Sequence, residues 1–152
     1  MRVRDVMKRD VFTIDASASC HEAATQMFRR RIRHLPVVDA GGAIIGIVTD
    51  RDVRHRLLAP AIFGDGHRLD VEGVLKSTAV EEVMSAPVVT AAPGDDISTA
   101  ARTMHAEKIA ALPVLEEGRV VGIVTETDLL VQIVRAADCC CADVPAIVVS
   151  FP

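Results

Sequence analysis

The sequence predicts a mixed α/β fold of the α+β kind, made of two pseudo-symmetric halves that each run strand, helix, strand, strand, helix. The first observation behind this is an internal duplication. Val3-Arg4-Asp5-Val6-Met7 returns as Val80-Glu81-Glu82-Val83-Met84, Thr13 as Thr90, Met27 as Met104, and Ile32-Arg33-His34-Leu35-Pro36-Val37 as Ile109-Ala110-Ala111-Leu112-Pro113-Val114, all at an offset of 77. One residue drops out near Gly41-Gly42, and Gly46-Ile47-Val48-Thr49-Asp50-Arg51-Asp52 then reappears as Gly122-Ile123-Val124-Thr125-Glu126-Thr127-Asp128 at an offset of 76. The second observation is that hydrophobic periodicity alternates between helical and strand spacing in the same order in both copies. These boundaries give a first repeat over residues 2–56, a linker over 57–78, a second repeat over 79–135 and an apolar tail over 136–152. Two copies that pack together imply a shared cleft.

In each repeat the elements follow from local chemistry. Val11-Phe12-Thr13-Ile14 is a short β-branched run, and Ser19-Cys20-His21-Glu22 is a Ser-x-x-Glu capping box that opens a helix. Cys20, Ala23, Ala24 and Met27 fall at i, i+3, i+4 and i+7, as do Ile97, Ala100, Ala101 and Met104 behind Asp96, whose carboxylate is suited to cap the second helix. Leu35 to Val38 and Ala43 to Val48 read as strands joined across Gly41-Gly42, and Leu112 to Leu115 and Val120 to Val124 as strands joined across Glu116-Glu117-Gly118. Pro36 and Pro113 cannot donate to a ladder and belong at a strand start or edge. Thr49 and Thr125 end the β pattern and open helices. The linker, with Pro60, Gly64, Gly66 and Gly73, reads as a helix tail and an irregular loop. The tail is too apolar to hang in water, so it is expected to pack on the body or on a second subunit.

Bulk properties exclude several functions. Half of the 152 residues are hydrophobic and a quarter charged, and no apolar run reaches the roughly 18 residues of a membrane span. The N-terminus lacks a signal-peptide pattern, so a cytoplasmic protein with reduced thiols is expected. The formal charge of −4 hides a split: residues 1–56 carry eleven Lys/Arg against seven Asp/Glu, and the remainder carries six against fourteen. The first repeat is therefore the one equipped to meet an anion. With no Trp or Tyr and only four Phe, the chain lacks stacking platforms for single-stranded nucleic acid, and its acidic balance repels duplex phosphates. Cys139-Cys140-Cys141 offers no more than two ligands to one tetrahedral metal and no Cys-x-x-Cys, so no metal site is assigned and a buried anchor is favoured over a thiol or metal sensor. No catalytic constellation stands at a workable spacing, and the chain is read as non-enzymatic.

Paired copies of Val-x-x-Val-Met, Leu-Pro-Val and Gly-Ile-Val-Thr-x-x-Asp resemble a tandem of cystathionine-β-synthase (CBS) domains over nearly everything except linker and tail. The resemblance implies two repeats packed sheet to sheet as one CBS pair. It also implies an adenosine-containing ligand such as AMP or ATP in the interrepeat clefts, a regulatory role, an unknown downstream protein, and a homodimer formed through the helices after each second strand. Those helices carry Val53, Leu57 and Leu58, and Leu129, Leu130, Ile133 and Val134. Carried over by motif, one site combines Thr49, Arg51 and Asp52 with Glu82, Ile109 and Ala110, with Arg33 and His34 near its phosphate. The other combines Thr125, Thr127 and Asp128 with Asp5, Ile32 and Arg33, and has Ala110 and Ala111 in place of the cations. The first is expected to hold phosphates better. In each Thr-x-x-Asp pair the residues allow two roles: binding phosphate or ribose oxygens at a helix N-terminus, or closing a capping box on that helix. The alternative to a ligand sensor is a structural or dimerisation module with empty clefts.

Overall fold

The computed structural model describes the backbone of residues 1–63 and 70–140 and the side chains of residues 1–57 and 70–137. In chain order the elements are α1 (Val3–Val6), β1 (Ile14–Asp15), α2 (Cys20–Arg30), β2 (His34–Val38), β3 (Ile44–Thr49), α3 (Asp50–Phe63) and α4 (Val71–Ser77). A 3-10 turn at Val80–Glu82 leads to α5 (Ile97–Glu107), β4 (Ala111–Glu116), β5 (Arg119–Thr125) and α6 (Glu126–Cys140).

The duplication is reproduced in space. β2 pairs antiparallel with β3, placing Pro36 opposite Ile47, and β4 pairs antiparallel with β5, placing Pro113 opposite Ile123. Both ladders slip at the same point, after Val37 and after Val114. β1 lies parallel to β2 but reaches only Val37 and Val38, so Pro36 sits where β2 is still an edge and its missing donor costs nothing. The helices obey their capping chemistry unevenly. Ser19 N donates to Glu22 Oε2 at 2.8 Å and Glu22 N to Ser19 Oγ at 3.2 Å, closing the expected box on α2. Asp96 makes no side-chain cap on α5, because its carboxylate is held by the Arg2 guanidinium at 3.0 Å.

The structure departs from the sequence reading in four places. The opening strand is two residues long and starts at Ile14, not Val11, and it ends where Asp15 Oδ1 accepts from Ser17 N at 2.8 Å and turns the chain. Its counterpart in the second repeat is a single parallel bridge between Ala91 and Val114. The Val-x-x-Val-Met motifs are helical turns, and the linker contains α4, capped by Gly73 N donating to Asp70 Oδ1 at 2.9 Å. On α5, Ala101 is exposed, so the buried stripe there is Ala100 and Met104.

The two halves exchange their opening segments. Val3 and Met7 lie in the core of the second repeat with Ala100, Met104, Leu112, Val114 and Val124. Val80 lies in the core of the first with Ile14, Ala23, Met27, Leu35, Val37 and Val48. Matching hydrogen bonds tie each exchanged segment down. Val3 N donates to Asp95 O and Val80 N to Ala18 O, both at 2.8 Å; Arg4 N donates to Pro93 O and Glu81 N to Ala16 O, both at 3.0 Å. One step further on, Lys8 and Ile123 exchange two backbone bonds of 2.9 Å, and Ser85 and Ile47 do the same at 2.9 and 3.1 Å.

Glycine makes that last approach possible. A Cβ on Gly46 would stand 3.0 Å from Met84 Cγ and 3.1 Å from Ser85 O; one on Gly122 would stand 3.0 Å from Met7 Cγ and 3.2 Å from Lys8 O. The methionine of one repeat thus lies flat on the second strand of the other. Gly122→Val is expected to cost about 2 kcal/mol by overpacking this contact. A urea midpoint equal to that of the parent protein would show the contact to be loose.

Candidate functional site

The end of β3 and the start of α3 build one wall of a cleft. His34, the first residue of β2, stands opposite Thr49, the last of β3. Asp50 N donates to Arg33 O at 3.1 Å, so the residue before the Leu-Pro-Val strand is fastened to the first turn of α3. The second repeat repeats this, with Ala111 opposite Thr125 and Glu126 N donating to Ala110 O at 3.0 Å. The cleft measures roughly 500 Å³. Arg33, His34, Thr49, Asp50, Arg51, Asp52 and Arg54 form one side of it, and Lys108, Ile109, Ala110, Ala111 and Glu126 the other. Its apolar lining is Ile47, Ile109, Ala110 and Ala111 together with Pro87, Val88 and Val89, which follow the exchanged opening segment, with Ser85 beside them.

Both roles of the Thr-x-x-Asp pair have a bearing here. Asp52 Oδ2 accepts from Thr49 N at 2.8 Å and from Thr49 Oγ1 at 2.7 Å, and Asp52 N donates back to Thr49 Oγ1 at 3.2 Å. This is a closed capping box, which occupies the threonine hydroxyl and one carboxylate oxygen. Asp52 Oδ1 has no hydrogen-bond partner among the described residues, and Asp52 is one of the residues lining the cleft. Thr125 and Asp128 repeat the box, with bonds of 2.9, 2.5 and 3.4 Å, but there Oδ1 faces Lys8 Nζ at 3.5 Å.

The cations differ in availability. Arg54 is spent on Asp50, whose carboxylate it meets at 2.7 Å and whose carbonyl it meets at 3.2 Å. Arg33, Arg51 and Lys108 form no ion pair among the described residues. Lys108 ends α5 in the left-handed region, with φ of 58°, and so turns the chain into the cleft wall. Burial and then the neighbouring Arg33 push the His34 pKa below its ordinary value, against the pull of Asp50, Glu126 and Asp52. The imidazole is therefore neutral at neutral pH and can donate or accept a hydrogen bond.

Seven of the thirteen residues expected from sequence, Arg33, His34, Thr49, Arg51, Asp52, Ile109 and Ala110, meet in this one cleft. Glu82 does not. Its Oε1 accepts from Ala79 N at 2.8 Å, and the residue borders a separate hollow of roughly 240 Å³ with Asp52, His55, Arg56 and Val83. Asp5 has the same local task, with Oδ2 accepting from Arg2 N at 2.7 Å. Thr125, Thr127, Asp128 and Ile32 are not among the residues that line the cleft, and Ile32 packs on the first core. Arg33-His34 and Ala110-Ala111 share the cleft, so that pair of segments does not by itself distinguish two sites. Sequence reasoning did not assign the other ten lining residues to a site: Ile47, Asp50, Arg54, Ala111 and Glu126, which adjoin predicted positions, and Ser85, Pro87, Val88, Val89 and Lys108. The available signal was the strand glycine Gly46, which marks where the opposite opening segment must cross.

Comparison with known proteins places these observations in a family. The family model for the CBS domain matches residues 3–59 and 80–135. A homoserine O-acetyltransferase of Methanohalobium evestigatum is 37% identical over 128 residues, covering 84% of this chain but only 23% of that protein. The CBS domain-containing protein YhcV of Bacillus subtilis is 32% identical over 130 residues, covering 86% of this chain and 84% of YhcV. Among solved structures, the CBS domain pair of protein MJ0100, in complex with 5′-methylthioadenosine and S-adenosyl-L-methionine, superposes with a TM-score of 0.72. It is 28% identical and spans 90% of this chain and 98% of its own.

Proposed function

The chain belongs to the CBS-domain family, and we propose that it is a non-enzymatic sensor that binds an adenosine nucleotide in the cleft between its repeats. The observation that carries this reading is the juxtaposition of the unpartnered Asp52 Oδ1 with the unpaired Arg33, Arg51 and Lys108 around an apolar lining. An apolar pocket with a few convergent polar groups suits a base, a carboxylate suits ribose hydroxyls, and free guanidinium groups suit phosphates. That a CBS pair holds adenosine ligands in MJ0100 supports the ligand class. The cations favour AMP or ATP over ligands without phosphate. Occupancy would join residues of both repeats, so the ligand's effect on partner affinity would pass through the exchanged segments.

A thermal-shift panel of AMP, ATP, NADH, S-adenosylmethionine and adenosine tests the reading. A ligand at a hundred times its dissociation constant adds about 2.7 kcal/mol to stability. The expected result is a shift with the phosphorylated ligands that shrinks as salt rises. No shift with any of them would overturn the proposal and leave the module with empty clefts.

A homodimer forms part of the same reading. Leu130, Val131, Ile133 and Val134 on α6 are 58%, 40%, 64% and 58% exposed, a contiguous apolar face with no cover from the described part of the chain. On α3, Val53 turns into the first core and takes no part in such a face, Leu57 is half-buried, and the Leu58 side chain lies outside the described residues. Ile133→Lys is expected to convert a dimer to a single chain in sedimentation at micromolar concentration. A parent protein that already sediments as one chain would refute it.

No helix among the described residues is long and apolar enough to cross a membrane. The thiol alternative has less to stand on. Cys141 and the side chains of Cys139 and Cys140 lie outside the described residues, and no group of three metal-ligating side chains occurs among those described. Cys20 is buried in the first core, where desolvation raises its pKa and leaves it a thiol.

A further inference from the structure

One titratable group in the cleft has no task in the nucleotide reading. His34, the first residue of β2, is half-buried and lines the cleft beside Thr49, its partner across the hairpin. Its imidazole has no hydrogen-bond partner among the described residues. The charged groups around it come from four places. Arg33 precedes it in the chain, Asp50, Arg51, Asp52 and Arg54 open α3, Lys108 ends α5, and Glu126 begins α6. The carboxylates are largely compensated. Asp50 meets Arg54 at 2.7 Å, one oxygen of Asp52 is taken by the α3 cap, and Glu126 is exposed, so that water screens its charge. Burial and Arg33 outweigh them, which leaves the imidazole of the free protein neutral at neutral pH.

A phosphate changes that balance. A phosphate monoester carries between about one and two negative charges near pH 7, and within the cleft these are screened less than on an open surface. They act on His34 in the direction opposite to Arg33. Building on the nucleotide reading, we propose that His34 makes ligand binding proton-linked: it takes up a proton from solvent when a phosphorylated ligand enters, so that the protein holds AMP more tightly as pH falls from about 8 to about 6. With His34 neutral before binding and charged after it, each unit by which the ligand raises its pKa makes binding about tenfold tighter below both values, and the gain vanishes above both. Adenosine brings no charge and draws no proton. Arg33, Arg51 and Lys108 cannot give this response, because they stay charged throughout the range.

Histidine side-chain NMR of the full chain over a pH series tests this. The His34 signal is identified by its loss in His34→Asn or, should that variant fold poorly, in His34→Gln, with the other four histidines as references. In the free protein its midpoint should lie below the ordinary histidine value, and saturating AMP should raise it by at least about one unit, whereas adenosine should leave it in place. In calorimetry, the ratio of AMP affinities, parent over variant, should be at least about threefold larger at about pH 6 than at about pH 8; taking the ratio cancels titration of the AMP phosphate itself. A His34 midpoint unmoved by AMP, or an affinity ratio that does not change with pH, would overturn the proton coupling and leave the nucleotide reading standing. An equal rise with adenosine would overturn the phosphate as its cause. Absence of binding by both AMP and adenosine at either pH would overturn both proposals.

Discussion

Val3→Asp is expected to destroy packing in the second half of the chain, not the first, at a cost of about 4 kcal/mol for an unpaired charge in a sealed core. Val3 is fully buried, and its neighbours are Met104, Leu112, Val114 and Val124, about a hundred residues away in sequence. Amide exchange reads the location of the damage directly. Protection should be lost first at Leu112, Val114 and Val124 and retained at Val37 and Val48. Val80→Asp should give the mirror result, opening the core around Leu35, Val37 and Val48. If Val3→Asp instead exposed Val37 and Val48 first, the exchange of opening segments would be wrong. Exchange is also what brings Ser85 against Ile47 at the cleft, so that failure would remove part of one wall of the proposed site.

Asp52→Ala should lower both affinity and stability, because Oδ2 caps α3 and, on the proposed reading, Oδ1 meets the ligand. Loss of the cap to Thr49 should cost about 1 kcal/mol of stability. Loss of the charged acceptor at Oδ1 should weaken ATP binding by about 1.5–3 kcal/mol, or roughly ten- to a hundredfold. Asp128→Ala separates the two. It removes the matching cap at Thr125 and should lower the melting temperature to a similar extent, yet leave ATP affinity unchanged, since Lys8 already holds that oxygen. Equal losses of stability in both variants with no change of affinity in either would make Asp52 a capping residue alone.

Much of this protein was legible in the sequence because it depends on groups within a few residues of one another. The Ser19–Glu22 box, the two hairpins, the buried faces of α2 and α5 at Ala23, Met27, Ala100 and Met104, and the Thr-x-x-Asp boxes are all set by spacing of four residues or fewer, or by adjacent strands. The resemblance to CBS pairs supplied the proposed ligand class and seven of the seventeen residues that line the cleft. What it supplied less well were the residues whose local task outweighs a shared one: Glu82 and Asp5 each close a turn at their own repeat's start.

Only the tertiary structure decided which copy of the opening motif fills which core, that Arg33-His34 and Ala110-Ala111 face a single cleft, and that Lys8 meets Asp128 Oδ1 while Asp52 Oδ1 has no partner among the described residues. The reason lies in the duplication itself. Val3 and Val80 are the same residue in equivalent contexts, so either would satisfy the apolar demand of either core, and periodicity is identical for both arrangements. Choosing between them takes contacts separated by about ninety residues, such as Val3 N to Asp95 O and Arg2 to Asp96, and those become visible only when both halves are in place.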